Sequence, residues 1–235
     1  MKGLILRATG TIALTFIAFG AAQAAIITQM GQDVEFTYDD STLYGTGTVV
    51  GNSIFFSPTS FKAESLNADG LVQTTEMLDI TVDVKAGSLG TFVMTEFQLV
   101  ELGDYQLAGS SSTVSQSGDL TVTSNTKTCG GPSCSDMTMF NAGPLTTVGA
   151  LTEWTASAGI DFSDTVGWGN DTSVLAEIDN MLEAASSVGG ESAMIQKKAQ
   201  GVGLVINPIP VPAAVWLFGS ALGLLGWCGR RGRQA

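Results

Sequence analysis

No histidine occurs anywhere in the 235 residues. That absence removes every arrangement in which an imidazole takes a proton from serine or cysteine, and every metal site built on imidazole nitrogen. Basic residues are scarce too: ten lysines and arginines stand against 22 acids, a formal charge of −12. A nucleic-acid partner requires a basic footprint, and this composition offers none. Cysteine is limited to three residues. Cys129 and Cys134 have four residues between them where a redox pair has two, and other metal ligands are not grouped around them. They are expected to form a structural disulfide across a tight surface turn, worth about 2 kcal/mol by chain entropy. Phosphate-binding loops are missing as well, because Gly45-Thr46-Gly47 has neither the lysine nor the strand–loop–helix setting.

What is present concentrates first at the two ends. Lys2 and Arg7 form a basic start, Ala8 to Ala22 carries no charge, and Ala22-Gln23-Ala24 is a small-x-small site. These three parts make a secretory signal peptide over 1–24, with cleavage expected after Ala24 by signal peptidase once the secretion translocon has taken the chain. At the other end Val211 to Gly229 is again uncharged. At about 1.5 Å per residue it reaches roughly 28 Å, close to a hydrocarbon core, and is read as a transmembrane helix. Trp216 and Trp227 stand near its ends, and Arg230, Arg231 and Arg233 follow as a cytoplasmic basic tail.

The stretch Pro208-Ile209-Pro210-Val211-Pro212-Ala213-Ala214, then Val-Trp-Leu-Phe-Gly-Ser at 215–220, a Gly/Leu-rich helix and the arginine cluster, resembles the sorting signal of exosortase substrates. The likeness is to the PEP-CTERM type and, more narrowly, the VPLPA variant. It implies a partner, an exosortase-like membrane cysteine protease that cleaves near the motif and passes the protein to the outer envelope or extracellular matrix. Members of that family come from Gram-negative bacteria that make exopolysaccharide. The chain reads Pro-Ile-Pro-Val-Pro-Ala where the variant has Val-Pro-Leu-Pro-Ala, and Cys228 interrupts the end of the helix. The cut is therefore expected somewhere within Pro208–Ala214. The phrases Tyr38 to Gly45 and Ile54 to Pro58 also resemble domains found ahead of such tails, with no activity attached.

Between the ends, residues 25–207 form one acidic extracytoplasmic domain. Five lysines remain there against all 22 acids, a formal charge of −17. Such a surface repels acidic polymers and anionic lipid unless divalent cations intervene. Leu78, Ile80, Val82 and Val84 alternate with polar neighbours, as do Val34, Phe36 and Tyr38, which is the period of a half-buried strand. Gly51-Asn52 marks a hairpin between Val49-Val50 and Ser53–Phe56, and Pro58 ends the second strand. Further strands are expected at 91–100, 104–108, 119–124 and 201–207, with a Gly/Ser/Thr-rich loop over 109–118. This spacing predicts a mainly β fold, an antiparallel β-sandwich or barrel-like domain. One covering helix is expected, because Val174, Leu175, Ile178, Met181, Leu182 and Ala185 fit a 3.6-residue period. A shorter helical stretch is expected around Ser192–Lys198.

For chemistry the acids are the remaining candidates. Asp161, Asp164 and Asp171 lie in a Gly-rich stretch that offers oxygen ligands of the kind calcium takes, and Asp33, Glu35, Asp39 and Asp40 form a second group. Neither has EF-hand spacing, and solubilising charge explains both as well. Trp154 and Trp168 are expected in the core, with stacking on sugars as the alternative. No catalytic residue is assigned. The expectation is a non-enzymatic envelope or matrix protein, processed by an exosortase-like system and associated with exopolysaccharide or biofilm. A carbohydrate- or calcium-binding module is one alternative. A secreted hydrolase using two carboxylates is another.

Overall fold

Residues 25–163 and 165–207 are described in the computed structural model. They form twelve strands: β1 (Ile26–Met30), β2 (Val34–Asp39), β3 (Thr48–Val50), β4 (Ser53–Phe56), β5 (Lys62–Leu66) and β6 (Gly70–Val84), followed by β7 (Glu96–Ala108), β8 (Thr113–Thr128), β9 (Ser133–Asn141), β10 (Thr152–Asp161), β11 (Ser173–Ser186) and β12 (Ser192–Ile206). The first sheet runs β1-β2-β6-β11-β8-β9 and the second β10-β7-β12-β4-β3. Every pairing between these strands is antiparallel. Strand β5 joins the second sheet by pairing with the first half of β12, while β4 pairs with its second half. Between the two halves the register shifts, from Lys197 to Val202.

The two sheets close on each other because each strand alternates. Phe97, Leu99, Tyr105 and Leu107 on β7 are buried, as are Ile178, Leu182 and Ala184 on β11. Each large apolar side chain removed from water contributes about 1.5–3 kcal/mol. Edge-on aromatic contacts run from Tyr38 to Phe56 (5.2 Å between ring centres) and through Tyr44 to Phe61 (5.5 Å). At the other end, Phe162 stacks between Phe97 and Trp168, at 5.9 and 4.5 Å. The β-sandwich expected from the sequence is therefore present.

The covering helix is not. Residues 173–186 form β11, a central strand hydrogen-bonded to β6 on one side and β8 on the other. Val174, Ile178 and Leu182 are spaced by four, an interval that fits a helical stripe and one face of a strand equally well. The intervening Ala176, Asn180 and Ala184 are also fully buried, which only the two-residue period explains. The stretch around Ser192–Lys198 is likewise strand, the first half of β12. The strands expected at 91–100 and 104–108 merge into one, β7, which starts only at Glu96, and the 109–118 loop is shortened by β8, which starts at Thr113. No helix among the described residues is long and apolar enough to cross a membrane, so the expected transmembrane character finds no counterpart there. Residues 211–229, on which that expectation falls, lie outside the described residues.

Candidate functional site

The expected disulfide is formed. Cys129 and Cys134 are joined, with Cα atoms 4.9 Å apart, and the bond closes the turn from β8 to β9. Ala22 and Ala24 of the signal site lie outside the described residues, as do Pro208, Pro210, Val211, Pro212, Ala213, Ala214, Arg230, Arg231 and Arg233 of the sorting motif. The first described residue, Ala25, accepts a backbone hydrogen bond from Asp40 at 3.2 Å.

The acids offered for calcium do not converge. Asp171 is buried and accepts from Trp168 Nε1 at 3.1 Å, from Thr126 Oγ1, and from the Ser173 backbone N–H at 3.1 Å. It serves to hold the Trp168 loop against the core. Asp161 is exposed and accepts from the Ser163 N–H at 2.9 Å; hydrogen bonding by the Ser163 side chain, then by its backbone, holds the carboxyl below the usual range. Asp164 lies outside the described residues. In the other group Asp33 bonds Asn52 and Ser88, Asp39 accepts from the Ser41 N–H, and Asp40 accepts from Thr46. No group of three or more acids and cysteines able to hold a metal ion occurs among the described residues.

Trp154 and Trp168 are both buried, as their core role requires. Every other described aromatic ring is buried or half-buried. The buried carboxylates among the described residues are Glu101 and Asp171, and neither opens onto a groove.

One constellation was not anticipated from the sequence. Between the sheets, Glu101 (β7), Lys197 (β12), Asn180 (β11) and Gln116 (β8) meet in a polar island sealed from solvent. Lys197 Nζ donates to Glu101 Oε2, and Asn180 Nδ2 donates to Glu101 Oε1 at 2.5 Å. Gln116 Nε2 lies 3.2 Å from Asn180 Oδ1 and 3.4 Å from Glu101 Oε2. Aromatic rings form the walls: Lys197 Nζ is 5.1 Å from the centre of Phe61 and 5.6 Å from that of Trp154. Gly103 makes room for Trp154, since a Cβ there would meet the indole at 2.2 Å. Gln116 Oε1, Tyr44 Oη and Trp154 Nε1 are buried without a hydrogen-bond partner.

Burial sets the electrostatics. It pushes the Glu101 carboxyl up, against the opposing pull of Lys197. It pushes the Lys197 amine down, against the opposing effect of Glu101. Desolvation, then the nearby Glu101, holds the Tyr44 hydroxyl well above its ordinary value. Taking two charges out of water costs several kcal/mol per ion, so such a pair survives only where hydrogen bonds satisfy the remaining groups.

The signal for this island was four polar residues at inward positions of alternating strands. Glu101 follows Phe97 and Leu99, Lys197 follows Ala193 and Ile195, Asn180 lies between Ile178 and Leu182, and Gln116 follows Val114. Compared with known proteins, the chain matches no family model and no curated protein.

Proposed function

We propose that the protein is an exported, non-enzymatic component of the cell envelope or extracellular matrix, placed there by an exosortase-like sorting system and working alongside exopolysaccharide. Its domain is a durable, highly charged module rather than a catalyst. The observation that supports this reading is the closed two-sheet interior: its buried acids are tied to neighbouring side chains, and the acids paired across strands, Asp119 with Asp179 and Asp79 with Glu177, lie on the outer face of the first sheet. The sorting motif at Val211-Pro212-Ala213-Ala214, with Arg230, Arg231 and Arg233 behind it, supplies the route.

Intact mass of the protein recovered from the membrane, outer envelope and medium of its native host tests the reading. A product beginning at Ala25 and ending within Pro208–Ala214 is expected in the envelope or medium. A product that keeps Trp216 to Arg233 in every fraction overturns processing at the motif. Turnover of a polysaccharide by the purified protein, lost on removing one surface acid, would overturn the non-enzymatic part.

A further inference from the structure

Lys197, Asn180 and Glu101 place an amine, a carboxamide and a carboxyl in one dry pocket between the sheets. Both the amine and the amide nitrogen rest on the two oxygens of that single carboxyl. We propose that the chain forms an intramolecular isopeptide bond between Lys197 Nζ and Asn180 Cγ, with Glu101 as the catalytic proton carrier. The proposal does not depend on how the protein is sorted.

The reaction needs no co-reactant. Lys197 first transfers a proton to Glu101, leaving a neutral amine and a neutral carboxylic acid. The amine lone pair attacks Asn180 Cγ, forming the Nζ–Cγ bond. The Cγ–Nδ2 bond then breaks; Nδ2 receives a proton by way of Glu101 and leaves as ammonia, while Nζ gives one up. One amide replaces another, nothing is oxidised or reduced, and Glu101 ends protonated.

Four features of the pocket suit this chemistry. The first is burial, which favours the neutral forms of both Lys197 and Glu101 and so eases transfer of the proton from the amine to the carboxylate. The second is Gln116, whose Nε2 is 3.2 Å from Asn180 Oδ1, the oxygen on which negative charge develops as the amine adds. The third is the position of the same Gln116 Nε2 3.4 Å from Glu101 Oε2, so that one amide group spans the proton carrier and the reacting carboxamide. The fourth is exclusion of water by Phe61 and Trp154, which keeps hydrolysis from competing.

The alternative, a permanent buried ion pair, has the Phe61 and Trp154 ring faces in its favour but leaves the ammonium short of hydrogen-bond acceptors. An ammonium has three donors, and Glu101 is the side-chain acceptor it finds here. The bond removes both charges and leaves a single amide N–H. It also joins β11 of the first sheet to β12 of the second, so the sheets are fastened to each other through their interior strands.

The test is peptide mapping of the reduced, denatured full-length protein after cleavage at glutamate. Glu177, Glu183 and Glu191 isolate Ile178–Glu183 from the peptide that starts at Ser192. A branched species is expected, with those two peptides joined through Asn180 and Lys197 and lighter by one ammonia than their sum. Glu101→Gln and Lys197→Met are each expected to yield the two linear peptides at full mass. Two linear peptides from the wild-type protein overturn the proposal without reference to any variant. A linear Ile178–Glu183 peptide that has lost ammonia by cyclising at Asn180 also overturns it, as does a branch through Gln116. A branch that forms in full in folded Glu101→Gln overturns the role given to Glu101.

Discussion

At the scale of single residues, Asp171 illustrates what an acid does in this chain once it leaves the surface. Its carboxylate takes the indole N–H of Trp168, the hydroxyl of Thr126 and the backbone N–H of Ser173, and so holds a ring that stacks on Phe162. Asp171→Ala strands a buried indole donor, which costs about 1–3 kcal/mol. The urea midpoint is expected to drop accordingly, with the slope unchanged. Glu183 makes a different kind of prediction. Donation from Ser115 and Gln73 holds its carboxyl below the ordinary range. A group depressed in the folded state adds stability that is fully present above its unfolded pKa and lost as pH falls through the folded value. Glu183→Gln should therefore be less stable than the wild type at pH 7, and the two should converge below about pH 4. A gap in urea midpoint that stays constant down to acid pH would contradict this. The buried island around Glu101 had no comparable local signature, since its members lie 15 to 96 residues apart. A polar residue at an inward place in an alternating strand was the sign to follow. Following it requires the strand assignments first, and the apolar spacing around Asn180 mimics a helix.

At the scale of elements, the legible strands were those whose two faces differ sharply. Leu78, Ile80, Val82 and Val84 alternate with Asp79, Thr81 and Asp83, and the Gly51-Asn52 turn set the β3–β4 hairpin. Strand β11, where a helix is expected from the sequence, carries Leu175, Met181 and Ala185 on its outer face, which blurs the alternation into a helical stripe. That outer face also carries an electrostatic conflict. Asp179 stands directly opposite Asp119 on β8, and Glu177 directly opposite Asp79 on β6. Like charges in register on neighbouring strands are destabilising, and opposite charges contribute roughly 0.2–1 kcal/mol each. Asp179→Lys sets a cation beside Asp119 and should raise stability by about that amount at low salt. A variant that unfolds earlier than the wild type in the same buffer would show that the two carboxylates are not in electrostatic contact.

At the scale of the whole molecule, the dominant fact is the charge of −17 over residues 25–207. Self-repulsion of this kind opposes the compact state and weakens as salt shortens its range. Raising ionic strength from about 0.01 M to about 0.15 M contracts the Debye length from roughly 30 Å to roughly 8 Å. The melting temperature at pH 7 should therefore rise over that interval. Sodium and calcium salts at matched ionic strength separate two origins of the effect. Diffuse charge responds to both in the same way, because screening depends on ionic strength and not on a particular ligand set. A site in which carboxylates converge responds to calcium alone, with a saturable shift set by its affinity. The described acids are spread over different strands and loops, and Asp171 is committed to Trp168, so the two salts are expected to give the same curve. An additional, saturating rise with calcium would mean that acids gather around a cation in a way their present hydrogen bonds do not prepare. It would also move the balance from a passive charged module toward one that calcium joins to acidic polymer.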